Sequence, residues 1–226
     1  MNPMESNSPT ISISRISLDT DQIPWSRGVD AVKSMDSQYQ ENLGEADGVP
    51  EVYQRYSLKT LRADPLTTRR IDLVEIAPGF EDTPAYHESV EECFIISGEV
   101  DVLGEGKFWT GDYFWRPPGF VHAASTSEGF QALLMMYGQD SSEMSGKASR
   151  HIRPPGDLGK NVIYSGRSDK EFGGRGFVRR VRTSGMEWIP GRDSDNLSRI
   201  RDFAENDCAV KVLSENTHTG AQTILI

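Results

Sequence analysis

The sequence predicts an all-β protein built as a sandwich or a barrel. From residue 52 onward, short runs rich in β-branched and aromatic residues follow one another at even spacing. Glycine and proline turns separate these runs, and the run Arg70–Ile76 alternates polar and apolar residues with a period of two. Many short strands with this punctuation are typical of a closed or two-layered β-fold.

Eight strands are predicted in order along the chain. Pro78-Gly79 ends the second strand, and further glycines separate the later ones. Residues 1–24, rich in Ser, Thr and Asn, are expected to be a flexible N-terminal segment, and residues 26–50 are expected to be mostly loop. The predicted strands are 52–61, 70–76, 93–96, 99–103, 107–110, 113–116, 122–125 and 131–137.

Composition narrows the classes of function. The formal net charge of −10 argues against non-specific binding to nucleic acid or to an anionic membrane. No apolar run approaches the ~20 residues of a spanning helix, and the N-terminus lacks a secretory signal pattern. The two cysteines, Cys93 and Cys208, lie far apart and favour reduced thiols in a cytoplasmic protein.

The most informative stretch runs from Gly111 to His122, with the pattern G-x5-P-x-G-x2-H. Gly111-Asp112 predicts a turn, the aromatic run 113–116 predicts a strand, and Pro117-Pro118-Gly119 predicts a tight reversal. His122 is therefore expected at the head of the next strand, between rigid flanking turns. This stretch resembles the second sequence motif of the cupin superfamily, in which the histidine binds a metal inside a small β-barrel.

A partial match to the first cupin motif, H-x-H-x3-4-E-x6-G, lies about twenty residues upstream. The alignment places the second histidine at His87, the carboxylate at Glu91 and the glycine at Gly98. Ala85 stands where the family has its first histidine, and it cannot bind a metal. The paired Glu91-Glu92 and the Arg-Pro-Pro-Gly-x-x-His run are most similar to the ChrR-like cupins.

The resemblance covers residues 52 to 137 and implies a cupin double-stranded β-helix, a jelly-roll barrel with N- and C-terminal extensions. The expected barrel domain is 25–137, followed by a linker or long loop at 138–176. The superfamily contains enzymes, storage proteins and sensors, so the fold alone does not give a function.

The matched positions imply a metal site formed by His87, Glu91 and His122. Two imidazoles and a carboxylate suit Fe, Mn, Ni or Zn as the divalent ion and leave coordination positions open for water or substrate. Strand alternation puts His87 and Glu91 on one face and favours Glu91 as the ligand. A bulge between them would reverse the parity, and ChrR-like spacing to the glycine favours Glu92 as the alternative.

Further site residues follow from the same alignment. His122 and Tyr86 are the candidate catalytic side chains, with His122 able to act as an acid or base if no metal binds. The candidate pocket residues are Tyr113, Trp115 and Arg116, although strand alternation must send about half of the local aromatic residues into the core. Arg116 is a candidate partner for a substrate carboxylate, with an outward ion pair as the alternative.

An internal repeat occupies the C-terminal part of the chain. Residues 211–226 align without gaps on residues 59–74, and Trp188 echoes Trp25. Residues 177–226 are therefore predicted to be a partial second cupin repeat that packs on the barrel or on a dimer partner. Because isolated hairpins are marginal in water, we expect its two strands to add to an existing sheet, preferably the partner's in a two-fold homodimer.

The predicted function is a metal-dependent cupin enzyme acting on a small oxygenated organic molecule, of the dioxygenase or lyase/isomerase type. Two alternatives remain open from the sequence. One is a non-catalytic ligand- or metal-sensing cupin, and the other is a degenerate structural cupin without metal. The expected partner is a small-molecule substrate or ligand, with neither nucleic acid nor membrane.

Overall fold

The computed structural model describes eight parts of the chain. They are residues 17–33, 51–63, 69–87, 89–117, 120–137, 151–152, 180–193 and 208–226. For residues 31–33, 51–52, 86–87 and 151–152 only the backbone is described. Most of the predicted N-terminal segment and of the predicted linker lie outside these ranges.

The described residues are mostly β-structure. The strands are β1 (Ser26–Arg27), β2 (Tyr56–Ala63), β3 (Arg70–Ile76), β4 (Phe80–Glu81), β5 (Tyr86–His87), β6 (Val90–Val102), β7 (Gly106–Trp109), β8 (Asp112–Arg116), β9 (Ala124–Thr126), β10 (Phe130–Tyr137), β11 (His151–Ile152), β12 (Val181–Arg182), β13 (Ile189–Pro190), β14 (Ala209–Glu215) and β15 (Gln222–Leu225). The helical elements are α1 (Gly28–Lys33) and short 3-10 helices at Thr20–Gln22, Glu51–Arg55, Thr183–Gly185 and Gly191–Asp193. None of the helices among the described residues has the length and apolar character needed to cross a bilayer.

Two layers of antiparallel strands form a jelly-roll barrel. In the described part of the chain, one layer has the order β1-β2-β3-β10-β6-β8-β12. The other layer is made by β7, the second half of β6, β9 and β4. Strand β6 belongs to both layers, because its first half pairs with β8 and β10 and its second half with β7 and β9.

Gly98 allows β6 to pass from one layer to the other. Its φ of 80° lies in the left-handed region, where a side chain is strained. A Cβ at this position would also lie 2.3 Å from the carbonyl oxygen of Gly129. The two strands predicted at 93–96 and 99–103 are therefore one continuous strand of 13 residues that bends at a glycine.

The barrel core lies between the two layers. One layer contributes Leu58, Val74, Ile95 and Ala132, and the other contributes residues that include the fully buried Phe108. Burial of each large apolar side chain contributes about 1.5–3 kcal/mol to stability. On the inner face of β6 and β8, the polar residues Glu91 and Arg116 follow directly after the core residues Cys93 and Phe114.

The C-terminal hairpin β14–β15 packs face-on against the outside of this barrel. Leu213 is buried with Val90, Tyr113 and Trp115, and Leu225 packs against the same cluster. Within the described residues the hairpin pairs with β13 in a separate three-stranded sheet and does not extend the barrel sheet of its own chain. Its addition to the sheet of a dimer partner stays a prediction. The strand that does extend the barrel sheet is β12, which pairs with β8.

Two further strand predictions differ from the structure. Residues 52–55 belong to the 3-10 helix Glu51–Arg55, and the strand begins only at Tyr56. His122 makes an isolated bridge with Ala85, and the following strand starts at Ala124. The hydrogen bond from Ala77 N–H to the carbonyl of Arg55 continues the pairing of β2 with β3 by one residue, and the strand pairing ends there.

Candidate functional site

Two paired strands place the first polar residues of the site inside the barrel. Glu91 on β6 lies directly opposite Arg116 on β8. Residues two positions along each strand, Cys93 and Phe114, belong to the barrel core, so Glu91 and Arg116 share the inner face. Both charged side chains are buried. The regular pairing of β6 with β8 keeps this parity, and it turns Glu92 to the outside.

His122 is held next to Glu91 by two independent contacts. Its backbone exchanges two 2.9 Å hydrogen bonds with Ala85. Its ring Nδ1 lies 3.0 Å from the carbonyl oxygen of Phe120. With the ring fixed in this way, Nε2 lies 3.3 Å from Oε2 of Glu91.

The contact of His122 with Phe120 fixes the tautomer of the imidazole. A carbonyl oxygen can only accept, so Nδ1 must carry the hydrogen that it donates. In the neutral ring, Nε2 then presents a lone pair toward Glu91, whose carboxylate oxygen also presents one. Two lone pairs at this distance repel each other, and either a proton shared between Nε2 and Oε2 or a metal ion bound to both would turn the contact into an attractive one.

Arg116 supplies the positive charge of the site. Its Nη1 lies 3.4 Å from Oε2 of Glu91, and its Nη2 lies 3.0 Å from Oε1 of Glu105. The guanidinium carbon lies 3.7 Å from the ring centre of Phe114, which excludes water from one side. Its Nε is buried and has no hydrogen-bond acceptor among the described residues. The outward ion pair considered for Arg116 is therefore wrong, because its carboxylate partners lie inside.

Glu105 was not predicted as a site residue. Burial raises its pKa above the ordinary value of 4.5, and the nearby guanidinium of Arg116 only partly opposes this effect. Together with Glu91 it gives the cluster one more carboxylate than guanidinium. These ion pairs leave an excess of negative charge that a proton or cation would offset, and the positive charge of Arg180 offsets part of it at Glu105. Nothing in the sequence around Glu105, which lies in a turn between two glycines, indicates this role.

The donor atoms of Glu91 and His122 fit two ligands of one divalent metal. Metal–oxygen and metal–nitrogen bonds of roughly 2.1 Å place adjacent ligand atoms about 3.0–3.4 Å apart, and the observed separation is 3.3 Å. A donated Nδ1–H, as in His122, is the usual arrangement for an imidazole that binds through Nε2. Among the side chains that the structure describes, no group of three or more His, Cys, Asp or Glu residues is close enough to bind a metal. A third side-chain ligand of these residue types would have to come from a residue whose side chain the structure does not describe.

His87 and Tyr86 are described through their backbone alone. They form β5, which follows directly after the bridge between Ala85 and His122. Strand β11 pairs with β5, and its register places His151 opposite His87. No sequence motif indicates His151, because it lies outside both cupin motifs and within the predicted linker.

Glu92 has a different environment on the outer face. It is buried and accepts hydrogen bonds from the hydroxyls of Tyr113, at 2.5 Å, and Tyr137. The Tyr113 hydroxyl also lies 3.0 Å from Oγ of Ser214 on the C-terminal hairpin. Burial, followed by the charge of Glu92, raises the pKa of Tyr113 above its ordinary value of 10.0, so the phenol stays protonated. This alternative ligand is thus separated from His122 by the sheet itself.

The predicted pocket residues are divided by strand β8. Tyr113 and Trp115 lie on the outer face, in the cluster with Leu213, whereas Arg116 lies on the inner face. The three residues therefore cannot line one pocket, because consecutive residues of a strand point to opposite faces. The aromatic side chains near the inner site are instead Phe114 and Phe120, whose ring centres lie 3.7 Å and 5.5 Å from the Arg116 guanidinium.

The barrel, its motif glycine at Gly98 and its inward Glu91 and His122 define the cupin fold. Residues 49–141 match the family of ChrR cupin-like domains. This segment is therefore a ChrR cupin-like domain within the chain. No curated relative matches the sequence.

Several solved structures are similar to the chain at the level of fold. A protein from Nostoc punctiforme described as a candidate dioxygenase has a TM-score of 0.56 and 15% identity, over 88% of this chain and 56% of that one. An RmlC-like cupin protein from Ralstonia eutropha has a TM-score of 0.42 and 14% identity, over 62% of this chain and 80% of that one. An acetylacetone dioxygenase from Acinetobacter johnsonii has a TM-score of 0.35 and 17% identity, over 42% and 70%. The chain spans little more than half the length of the Nostoc protein.

Proposed function

We propose that this chain is a metal-dependent cupin enzyme that acts on a small oxygenated organic molecule, of the dioxygenase or lyase/isomerase type. His87, Glu91 and His122 would hold one divalent ion, Fe, Mn, Ni or Zn. The observation that carries the proposal is the 3.3 Å approach of His122 Nε2 to Glu91 Oε2, with Nδ1 committed to the Phe120 carbonyl. The family resemblance of the fold adds support, because cupin metal sites occupy this place in the barrel.

A bound metal would supply a Lewis acid that polarises a carbonyl or enolate oxygen of the substrate. The protein groups around it have separate tasks. The Arg116 guanidinium, with its Nε free of an acceptor among the described residues, is placed to bind an anionic oxygen of the substrate. Glu105 balances the charge of Arg116, and Phe114 and Phe120 keep water away from the guanidinium.

His151 is a further candidate ligand. Its backbone position opposite His87 brings a third histidine to the strand that carries the first cupin motif. This placement would compensate for Ala85, which stands where the family has its first histidine. Because directly opposed residues of an antiparallel pair lie about 4.5–5.5 Å apart, one ion is within the reach of such a pair.

The alternative function is a metal-free cupin that binds or senses a ligand. The observation that favours it is the Arg116 guanidinium, which already lies 3.4 Å from Glu91. In that case Glu91 and His122 would share a proton, and His122 could act as the acid or base. In either version we propose Tyr86, which precedes His87 on β5, as a catalytic side chain.

Metal analysis of protein purified without an affinity metal tests the proposal. The wild type should contain close to one equivalent of a divalent ion, and His122→Ala and His87→Ala should each lose most of it. His151→Ala should lose metal if it is a ligand and retain it if it is not. Ala85→His should strengthen metal binding, because residue 85 pairs directly with His122, whereas Ala85→Asn should not. A wild type that binds no divalent ion after loading, while it still binds an oxygenated ligand, would establish the metal-free alternative.

A further inference from the structure

The inner face of the barrel carries a second group of polar residues, on strands β2 and β3. Leu58 and Val74 lie opposite each other in the pairing of these strands and belong to the barrel core. Thr60 and Asp72 form the next pair on the same face, because side chains two positions apart along a strand point the same way. Arg70 follows on this face, two residues before Asp72. The apolar core is therefore followed by polar side chains along both strands.

These polar residues hold one another in place. Asp72 is 2% exposed, and its Oδ1 accepts a hydrogen bond from Oγ1 of Thr60 at 2.7 Å. Its Oδ2 accepts a hydrogen bond from Nε of Arg70. Because a guanidinium has five N–H donors in one plane, a contact through Nε leaves donors on Nη1 and Nη2 for a further acceptor. The buried carboxylate therefore orients Arg70 and leaves it able to bind an anion.

This part of the inner face is open to solvent. The side chain of Arg70 is 31% exposed, and Thr60 is exposed, although both lie on the face that carries the core. The side chain of Arg116 is only 4% exposed and is paired with two carboxylates. Among the described residues, Arg70 is paired with the single carboxylate of Asp72. Arg70 is therefore the more accessible of the two guanidinium groups.

Strand register places Arg70 on the same row as the candidate metal site. This row crosses β8, β6, β10 and β3 and consists of Arg116, Glu91, Met136 and Arg70, each directly opposite the next. Neighbouring strands lie about 4.8 Å apart, so the Cα atoms of Glu91 and Arg70 lie roughly 10 Å from each other. Met136 lies between them and is buried. A small molecule that lies across Met136 can therefore reach the pair of Glu91 and His122 with one end and Arg70 with the other.

We propose that Arg70 binds the carboxylate of a small organic acid whose oxygenated carbon lies at the pair of Glu91 and His122. The substrate class is thus a short oxo- or hydroxycarboxylic acid, because a guanidinium matches a carboxylate in charge and in geometry. Asp72 and Thr60 are positioning residues that act through Arg70. This inference rests on the proposed function, since it assigns the far end of the substrate in the same site.

Calorimetric titration with matched acids and esters tests the proposal. The probes are pyruvate, 3-hydroxybutanoate and 4-oxopentanoate, each compared with its neutral methyl ester at constant ionic strength. At least one acid should bind the wild type at least about tenfold more tightly than its ester, as expected for charge-assisted hydrogen bonds. Arg70→Gln should remove this preference and leave the affinity for the ester unchanged.

Two further variants separate binding from folding. Arg62→Gln is the matched control, because it removes the same charge from an exposed residue that lies opposite Ile71, off the inner face. It should keep the wild-type preference for the acid. Asp72→Asn should lower the ratio of acid to ester affinity, whereas a merely structural defect would lower both affinities together. If Arg70→Gln fails to fold, Arg70→Lys takes its place. It keeps the charge but not the paired hydrogen bonds of a guanidinium, so it should reduce the preference several-fold.

Three results would overturn the inference. They are the absence of binding by all three acids, equal affinities for acids and esters in the wild type, and a preference for the acid that survives in Arg70→Gln. Metal analysis of the same samples distinguishes this inference from the proposed function, because Arg70→Gln should keep the metal content of the wild type. A wild type that holds metal without preferring any acid would contradict the acid subsite alone. A wild type that prefers an acid through Arg70 but holds no metal would support the subsite and contradict the metal.

Discussion

Glu91 and Glu92 are neighbours on one strand, and their environments differ in kind. Glu91 faces inward, next to the guanidinium of Arg116 and the imidazole of His122. Glu92 faces outward and receives neutral phenolic hydrogen bonds that occupy both of its oxygens. The comparison teaches that two buried neighbouring carboxylates can differ in their partners. Glu91 lies beside charged or ionisable groups, whereas both oxygens of Glu92 are occupied by neutral hydroxyls.

Matched amide substitutions at the two positions should separate their effects on metal binding. Glu91→Gln removes the charge beside His122 and should weaken divalent-ion affinity at least about 100-fold, because even indirect partners of metal ligands cost roughly 10–100-fold. Glu92→Gln, on the other side of the sheet, should change the affinity only slightly. Competition with a chromophoric chelator measures both. Equal losses in the two variants would contradict the assignment of Glu91 to the inner site.

In stability the order of the two variants should be reversed, with the larger loss in Glu92→Gln. Glu92→Gln replaces an acceptor of two charge-assisted hydrogen bonds by an amide that must donate to one of the tyrosines, which costs about 1–3 kcal/mol. Glu91→Gln removes the excess carboxylate and leaves Arg116 paired with Glu105, so its free energy of unfolding should stay within about 1 kcal/mol of the wild type. Urea denaturation in the presence of a chelator gives both values. A larger loss in Glu91→Gln would mean that the inner cluster is needed mainly for folding.

The opposite orientations of Glu91 and Glu92 follow from the sequence, but the identity of their tertiary partners does not. Strand alternation alone separates Glu91 from Glu92, because β6 and β8 pair without a bulge at these residues. The positions of His122 and Gly98 follow from the motif spacing. The partners Glu105, Tyr137 and Ser214 come from a turn, a distant strand and the C-terminal hairpin. Only tertiary contacts bring them together, so no local pattern identifies them.

The failed pocket prediction has the same origin. Tyr113, Trp115 and Arg116 are adjacent in a recognised motif, and proximity in sequence suggested one site. Their alternation on β8 could be predicted, but the side of the sheet that faces the barrel interior could not. The outer face is also buried here, because the C-terminal hairpin β14–β15 covers it, so burial does not distinguish the two faces.

The stability of the protein as a function of pH should reveal the raised pKa of Glu105 in the inner cluster. Burial raises the pKa of this carboxyl above its ordinary value of 4.5. The stability that it contributes is fully present below the unfolded-state pKa and is lost as the pH rises through the higher folded-state pKa. The wild type should therefore lose stability relative to Glu105→Gln between acidic and neutral pH. Urea midpoints of both proteins measure this, with Glu99→Gln at the surface ion pair to Lys107 as the control. If the difference in urea midpoint between the wild type and Glu105→Gln does not change with pH, or changes in the opposite direction, the charge of Arg116 outweighs the effect of burial on the pKa of Glu105.

Alkylation of the two cysteines tests whether solvent reaches the inner face of the sheet, and it changes none of the site residues. Cys93 lies two residues after Glu91 on β6 and is buried in the core, whereas Cys208 is only half-buried. Burial, and then the charge of Glu91, raises the pKa of the Cys93 thiol well above its ordinary value of 9.0. Because the thiolate is the reactive form, alkylation of Cys93 in the native protein should be at least about tenfold slower than that of Cys208. Cys208→Ser should retain only the slow phase and Cys93→Ser only the fast phase, and both thiols should react alike in denaturant. A fast phase in Cys208→Ser would show that solvent reaches the strand between the inner site and the core.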